Sequence, residues 1–275
     1  MEIQHNQIYN EDCLQFMRKL NDKSVDFIIT SPPYNLSDSR YYNKDFKDNL
    51  SSDEYVSWIK EIALEFNRII KDEGSVFFNI SYNSNSKEEY IKIINAFLEI
   101  GFKLQETICW LRKGMPLTEV GHLTRDFEPI FLFSKKDSYF TNQKKNQIIS
   151  NVWNIKNRKH NFGDNKACFP VELIRKILVD FTFENSLVLD CFMGSGTTAV
   201  ACKQKNRKYI GCEINKDYVE IANKRLAQRS VDDFTLPNGN FATQKSLIGI
   251  KRKPCEVSQI PNGTSLNSDI IPFER

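Results

Sequence analysis

The sequence has few of the features that mark a disulfide-stapled or metal-bound protein. Its seven cysteines are an odd number, are scattered along the chain, and include no CxxC pair. Disulfide frameworks use even numbers of cysteines, and structural zinc sites use closely spaced pairs, so we expect neither and predict no metal. Free thiols at this frequency favour a reducing compartment, which predicts a cytoplasmic protein.

Long apolar runs are also missing. No stretch approaches the roughly 20 consecutive apolar residues that cross a bilayer. Residues 1–10 lack the charged-then-apolar pattern of an export signal, so we expect neither membrane insertion nor export. A composition that is 40% hydrophobic and 27% charged is globular and excludes collagen-like and wholly disordered chains. A length of 275 residues suits one large domain or two small ones.

The chain has little net charge, only +3, and this alone does not indicate a nucleic-acid partner. The distribution is more informative, because residues 111–166 contain 11 Lys and Arg against 5 Asp and Glu. A localised basic surface is the usual footprint of phosphate contacts, although a solvated basic face gives the same pattern.

Segments with strand and helix patterns alternate along most of the chain. Apolar, β-branched runs predict strands, and apolar residues at helical spacing predict helices. Strands are expected at 24–30, 75–80, 102–111, 127–134, 186–190 and 208–213, and helices at 11–20, 53–70, 88–100, 171–180, 199–204 and 217–228. Gly74 is expected to end the second helix. The alternation predicts an α/β fold, a doubly wound, mostly parallel sheet with helices on both faces. Residues 230–275, rich in polar residues, proline and glycine, are expected to form an irregular extension.

A glycine loop follows the strand predicted at 186–190. It reads Asp190-Cys191-Phe192-Met193-Gly194-Ser195-Gly196-Thr197-Thr198. Glycines let a backbone approach a ligand, and the following helix offers free N–H groups. The third glycine of a dinucleotide fingerprint is missing, while Glu213 stands 23 residues after Asp190, at the end of the next strand. An acidic group there accepts hydrogen bonds from ribose hydroxyls, which favours an adenosine ligand without a diphosphate. A tight strand–helix turn with no ligand is the alternative.

A proline loop follows the strand predicted at 24–30. It reads Thr30-Ser31-Pro32-Pro33-Tyr34-Asn35. Two prolines stiffen the backbone and remove two donors, so the loop presents carbonyl acceptors that suit the N–H groups of a base. Ser31 adds a hydroxyl, and Tyr34 adds a flat face on which an extruded base can stack. A plain proline turn is the alternative.

Together the two loops resemble the amino-methylating DNA methyltransferases, which transfer a methyl group from S-adenosyl-L-methionine to cytosine N4 or adenine N6. The TSPPYN segment (30–35) is similar to the catalytic motif of that family, and DCFMGSGTT (190–198) is similar to its cofactor loop. The resemblance covers about residues 6–229. A catalytic loop that precedes the cofactor loop is the permuted order of the family's beta group, so the resemblance implies a Rossmann-like methyltransferase fold in permuted order.

The resemblance also implies roles for individual residues. S-adenosyl-L-methionine is the implied cofactor, with Asp12 near its adenine, Glu213 on its ribose and Phe169 beside its methionine part. The implied contacts from the glycine loop are Asp190, Phe192, Gly194, Ser195, Gly196 and Thr197, and the implied catalytic residues are Ser31, Pro32, Pro33 and Tyr34. The sequence departs from the family at Cys191, where proline is usual, and at Asn165-Lys166, where His-Pro is usual.

The implied mechanism is a direct displacement on a flipped base. The amine bonds to Ser31 and to the carbonyl of Pro32, which turns the nitrogen lone pair towards the methyl group, without a metal or a covalent enzyme intermediate. Within the family an SPPY motif usually accompanies cytosine N4 transfer, so we expect a cytosine-N4-specific enzyme, with adenine N6 as the alternative.

Double-stranded DNA is the implied partner. The family places DNA recognition in an insertion at about 137–165, between a catalytic half at 1–136 and a cofactor half at 166–229. The candidate DNA contacts are Lys144, Lys145, Lys156, Arg158 and Lys159. Trp153, in the same insertion, is expected to belong to the core.

The family further implies the modification enzyme of a restriction–modification system, acting on the nucleoid in a prokaryotic cytoplasm. A homodimer and a cognate restriction endonuclease for the same site are the candidate protein partners. Other interpretations stay open: a protein-glutamine methyltransferase, an RNA methyltransferase, a DNA-binding module without activity, and a cytosine-C5 route through Pro254-Cys255.

Overall fold

One mixed sheet with helices on both faces makes up the described part of the chain. The computed structural model describes residues 3–35, 49–80, 88–112, 126–142, 149–156 and 169–228. The strands in these residues are β1 (Gln7–Tyr9), β2 (Val25–Thr30), β3 (Ile70–Asn79), β4 (Lys103–Leu111), β5 (Phe127–Ser134), β6 (Val152–Trp153), β7 (Leu187–Asp190) and β8 (Lys208–Cys212). The helices are α1 (Cys13–Met17), α2 (Ser52–Ile69), α3 (Glu89–Ile100), α4 (Val171–Phe181), α5 (Thr197–Gln204) and α6 (Lys216–Ala227).

The strand order confirms the predicted doubly wound, mostly parallel sheet. The strands lie side by side in the order β1-β8-β7-β2-β3-β5-β4-β6. The first five are parallel to one another, β5 is antiparallel to both of its neighbours, and β6 pairs in parallel with β4.

Alternating side chains supply a core on each face of this sheet. In β2, Ile28 is fully buried with the helices α1, α2 and α3, while the next residue, Ile29, is buried on the opposite face with α4 and α5. Successive side chains of a strand point to opposite faces, so one apolar strand contributes side chains to both cores. Phe97 of α3 stacks on Phe133 of β5 with ring centroids 4.4 Å apart, at the centre of the first core.

Helix α2 begins at a capping box. The Ser51 hydroxyl accepts the Glu54 N–H at 3.3 Å, and the Glu54 carboxylate accepts the Ser51 N–H at 2.9 Å. These two bonds satisfy backbone donors that the first helical turn leaves open. The helix therefore starts at Ser52, one residue before the predicted start, with its first turns next to the proline loop.

The prediction that Gly74 ends α2 is wrong. The backbone is already extended at Ile70, and Gly74 lies inside β3. A Cβ built on Gly74 would stand 2.5 Å from the carbonyl oxygen of Asp26 in β2. The glycine is therefore needed for the close approach of the two strands.

A topological switch point lies between β2 and β7. The chain passes from β2 to its neighbour β3 on one side, and from β7 to its neighbour β8 on the other. Ligands of open α/β sheets bind beyond the carboxyl ends of strands at such a point. Both loops singled out from the sequence start there, after Thr30 and after Asp190.

The sequence analysis missed two short strands. β1 has three residues and pairs with β8, and β6 has two residues and pairs with β4. Segments this short carry too little periodicity to be recognised. Trp153 of β6 is 3% exposed and belongs to the second core, which confirms its predicted core position.

Of the helices in the described ranges, none combines the length and the apolar character needed to cross a bilayer. The extension at 230–275 lies outside the described residues, and the domain boundaries stay predictions.

A buried arginine fixes the carboxyl end of α4 against the start of β8. Arg207 is 9% exposed, and its guanidinium donates to the carbonyl oxygens of Leu178, at 3.0 Å, and Thr182, at 2.7 Å. It also donates to the Thr182 hydroxyl at 2.9 Å and to the Lys205 carbonyl at 2.5 Å. The Leu178 carbonyl also accepts the N–H of Thr182, and the Thr182 carbonyl also accepts from the Asn142 side chain, so the arginine adds a charged donor to a group of hydrogen bonds at the end of α4.

Replacing this side chain should therefore destabilise the whole domain. We expect Arg207→Met to lower the free energy of unfolding by roughly 2–4 kcal/mol, because several buried acceptors lose a charged donor at once. The exposed neighbour provides the control, and Lys208→Met should stay within about 0.5 kcal/mol. Urea titrations followed by fluorescence compare the variants. Equal stabilities of the two would contradict the role given to Arg207.

Candidate active site at the carboxyl ends of β2 and β7

A buried hydrogen bond joins the proline loop to the glycine loop. The Thr30 hydroxyl, at the end of β2, donates to Oδ1 of Asp190, at the end of β7, at 2.7 Å. The two residues are 1% and 3% exposed. The loops that the sequence places 160 positions apart thus begin side by side.

The Asp190 carboxylate is held inside the protein. Besides Thr30, it accepts the Thr198 hydroxyl at 2.6 Å and the Phe192 N–H at 3.1 Å. Burial raises the pKa of this carboxyl, and the three hydrogen bonds oppose that rise. Asp190 is thus hydrogen-bonded to the start of the proline loop and to the glycine loop. Its contact with a cofactor stays a prediction.

The two glycines of the loop have positive φ angles, which residues with a side chain adopt only rarely. Gly194 has φ +52° and Gly196 has φ +82°, in the left-handed region. A Cβ on Gly196 would also stand 2.7 Å from the Cβ of Ala222 in α6. Gly196 is therefore required by the turn and by the packing of α6, in addition to any ligand.

Glu213 connects the glycine loop to the end of β8. Its carboxylate accepts the Gly194 N–H at 2.8 Å and the Asn215 N–H at 2.9 Å. Burial raises the pKa of the Glu213 carboxyl, against the lowering effect of these backbone donors. An ionised carboxylate has about four acceptor positions, so capacity remains for a further donor.

Asp12 lies at the same edge, one strand further along. It caps α1 by accepting the N–H groups of Leu14 and Gln15, both at 3.1 Å. Backbone bonds between β1 and β8 bring its segment next to Glu213, since the Glu213 N–H donates to the Tyr9 carbonyl at 3.0 Å. Two of the predicted cofactor residues, Asp12 and Glu213, are thus on neighbouring strand ends.

Arg225 of α6 braces the glycine loop, and the sequence analysis missed it. Its guanidinium donates to the Ser195 carbonyl at 2.5 Å, to the Ser195 hydroxyl at 2.8 Å and to the Thr197 hydroxyl at 3.3 Å. The residue is 8% exposed. It follows the buried Val219 and Ala222 at three-residue spacing, so a charged residue on the apolar face of a helix was the signal available.

The proline loop is held by hydrogen bonds from two other elements. The Tyr55 hydroxyl of α2 donates to the Pro33 carbonyl. Ser31 and Tyr34 are joined at 3.0 Å between their hydroxyl oxygens, and the Tyr34 hydroxyl lies 2.5 Å from Oδ1 of Asn79 in β3. Ser31, Pro33 and Tyr34 are half-buried, while Pro32 is buried. Neither Tyr55 nor Asn79 had been assigned to the site from the sequence.

Aromatic side chains of α2 also reach the glycine loop. Trp58 packs edge-on against Phe192 with ring centroids 5.6 Å apart, and it contacts Tyr55 at 5.9 Å. Because Tyr55 holds the proline loop, the first turns of α2 contact both loops. The sequence showed these aromatics only as the apolar side of a helix.

Two predicted residues lie further from the junction. Phe169 precedes α4 and packs edge-on against Trp110 of β4 at 6.3 Å, on a strand that β2, β3 and β5 separate from β7. Lys156 is exposed just after β6, the edge strand of the described sheet. The other candidate DNA contacts, Lys144, Lys145, Arg158 and Lys159, lie outside the described residues, as does Cys255.

Comparisons with known proteins identify the family of this chain. A family model for the N6/N4 type, described as DNA methylase, matches residues 25–224. The chain is 31% identical to the Type II methyltransferase M.Cfr9I of Citrobacter freundii over 82% of this chain and 89% of that protein. It is 29% identical to the Type II methyltransferase M.BglII of Bacillus subtilis over 93% of this chain and 76% of that protein.

Solved structures show the same fold. The PvuII DNA methyltransferase (cytosine-N4-specific) superimposes with a TM-score of 0.70 at 22% identity, over 84% of this chain and 89% of that chain. The M1.HpyAVI–SAM complex superimposes with a TM-score of 0.61 at 27% identity, over 81% of this chain and 99% of that chain. The family model spans both loops of the junction, and the chain belongs to the N6/N4 family of DNA methylases, as the two motifs predicted.

Proposed function

We propose that this DNA methyltransferase transfers a methyl group from S-adenosyl-L-methionine to the exocyclic amine of a flipped base, with cytosine N4 as the favoured target. The observation that carries the proposal is the Thr30–Asp190 hydrogen bond, which sets the proline loop beside the glycine loop at the switch point of the sheet. An amine donor site and a cofactor site at this junction can share one reaction centre.

The residues on the cofactor side have the chemistry that an adenosine ligand needs. Glu213 offers a half-buried carboxylate to the ribose hydroxyls, and Asp12, on the neighbouring strand end, is assigned to the adenine. The backbone of the loop and helix start at Gly194, Ser195, Gly196 and Thr197 is assigned to the cofactor together with Phe192, and Phe169 is assigned to the methionine part. S-adenosyl-L-methionine supplies an electrophilic methyl group when it is bound.

The residues on the amine side act by position. The Ser31 hydroxyl and the Pro32 carbonyl accept the two N–H bonds of the amine, which draws the nitrogen towards tetrahedral geometry and aims its lone pair at the cofactor side. Tyr34 provides the ring on which the extruded base stacks, and Pro33 keeps the loop rigid. Holding the reactants at attacking distance provides most of the acceleration.

Cytosine N4 is favoured over adenine N6 because the loop begins with Ser31, as in most of the N4 enzymes that the sequence resembles. Adenine N6 methylation is the alternative.

The substrate and partners are proposed on the same grounds. Double-stranded DNA is contacted by the basic segment, with Lys156 exposed and Lys144, Lys145, Arg158 and Lys159 as further contacts. The relatives are named as Type II methyltransferases, which supports a role in a restriction–modification system with a cognate endonuclease. Action on the bacterial nucleoid in the cytoplasm, and a homodimer, complete the proposal.

Mass spectrometry of nucleosides tests the reaction directly. Duplex DNA incubated with enzyme and cofactor should contain N4-methylcytosine, and Ser31→Ala should lower its rate of formation by about 10- to 100-fold, since one acceptor of the amine is lost. The exposed Ser57→Ala is the control and should leave the rate unchanged. N6-methyladenine would establish the alternative target. 5-Methylcytosine, or transfer to RNA alone, would contradict the proposal.

The affinity for the cofactor should depend on pH through Glu213. Burial raises the pKa of this carboxyl above the ordinary 4.5, and the ionised form is the one that accepts ribose hydroxyls. Affinity measured by calorimetry should therefore fall as the pH is lowered from 7 towards 5, approaching about tenfold per pH unit below the pKa. Glu213→Gln should bind weakly at pH 7 and lose this dependence, whereas the exposed Glu220→Gln should behave as the unmodified enzyme. A flat profile in the unmodified enzyme would exclude the role of Glu213.

A further inference from the structure

The amide of Asn79 stands next to the catalytic serine, at the end of the strand beside β2. Thr30 is in register with Phe78, so Ser31 and Asn79 are the next residues along the two parallel strands. Asn79 is 2% exposed, although it follows three buried apolar residues, Val76, Phe77 and Phe78, at the end of β3. A buried amide has to be hydrogen-bonded, and its partners define what it does.

The bonds of Asn79 fix the orientation of its amide. Its NH₂ group donates to the Pro129 carbonyl of β5 at 2.8 Å. A carbonyl oxygen can only accept, so the nitrogen must face Pro129 and the oxygen must face the proline loop. On that side Oδ1 lies 2.5 Å from the Tyr34 hydroxyl and 3.5 Å from the Ser31 hydroxyl.

This orientation also fixes the direction of the hydroxyl protons. An amide oxygen has no proton, so the Tyr34 hydroxyl must donate to it, and a phenol has only one proton to give. Towards Ser31, at 3.0 Å, the Tyr34 oxygen can then only accept. The Ser31 proton is therefore directed to Tyr34 or to Asn79, and its oxygen presents lone pairs in the remaining directions.

We propose that Asn79 is a positioning residue, which acts through Tyr34 to make the Ser31 oxygen an acceptor for the target amine. A serine hydroxyl can either donate or accept, and only acceptance suits the N–H of an amine. The hydrogen bonds that run from Ser31 through Tyr34 and Asn79 to Pro129 use the Ser31 proton, so the Ser31 oxygen is left to accept. The inference rests on the proposed function and identifies what prepares its acceptor.

Single-turnover methyl transfer at saturating cofactor, in pairs of variants, tests this role. Asn79→Leu should lower the rate about tenfold when Ser31 is present, and less than about twofold in the Ser31→Ala background, because there the acceptor is already gone. A purely structural role for Asn79 would give the same loss in both backgrounds, and that result would overturn the inference.

Tyr34→Phe provides a second route that leaves the Asn79–Pro129 bond and the stacking ring intact. It should also lower the rate, again without a further loss when combined with Ser31→Ala. This variant decides the question if Asn79→Leu does not fold. Equal losses from Tyr34→Phe with and without Ser31 would contradict the inference.

Two further measurements separate this inference from the proposed function. Asn67→Leu, which removes another amide that donates to a carbonyl, Ile100 at 3.2 Å, should leave the transfer rate unchanged. Cofactor affinity by calorimetry should be the same in the Asn79 and Tyr34 variants as in the unmodified enzyme, and a loss there would contradict a role confined to Ser31. If the unmodified enzyme methylates no base amine, or Ser31→Ala costs nothing, the proposed function itself fails.

Discussion

The hydrogen bond between Thr30 and Asp190 is the constraint on which the site depends. It lies at the carboxyl ends of adjacent parallel strands, where neither partner is exposed to water, so it cannot be exchanged for a bond to solvent without opening the core. A buried carboxylate is costly unless its acceptors are used, and Asp190 uses both oxygens on groups of the two loops. In the proposed function, the geometry that brings an amine and a methyl donor together is thus built into the sheet, before either ligand binds.

The rest of the site is arranged around this junction. Arg225 and Glu213 each hold the glycine loop, the first from α6 and the second from the end of β8. Tyr55 and Asn79 hold the proline loop from α2 and β3. Each loop therefore has supports from elements that contribute no residue to its own motif, which is how a rigid scaffold fixes reactive groups on loops.

Much of this arrangement could be predicted from the sequence, because the sheet and the two loops depend on local sequence patterns. The strand periods predicted the sheet, and the two motifs predicted the loops that follow its strands. The supports were not accessible, because their roles depend on which strands are neighbours. Asn79 matters only since β3 lies beside β2 and the antiparallel β5 brings Pro129 next to it. The prediction that Gly74 ends a helix failed for a related reason, because the role of this glycine is set by its distance to Asp26 in another strand.

The transfer rate of Thr30→Val is the most direct test of the central claim. Valine keeps the shape of threonine but cannot donate to Asp190, whereas Thr30→Ser keeps the hydroxyl. With saturating cofactor and DNA, and with both variants shown to be folded, Thr30→Val should lower the single-turnover rate by about tenfold or more, and Thr30→Ser should stay within about threefold. Transfer by folded Thr30→Val at the unmodified rate would show that the two loops do not need this bond to work together.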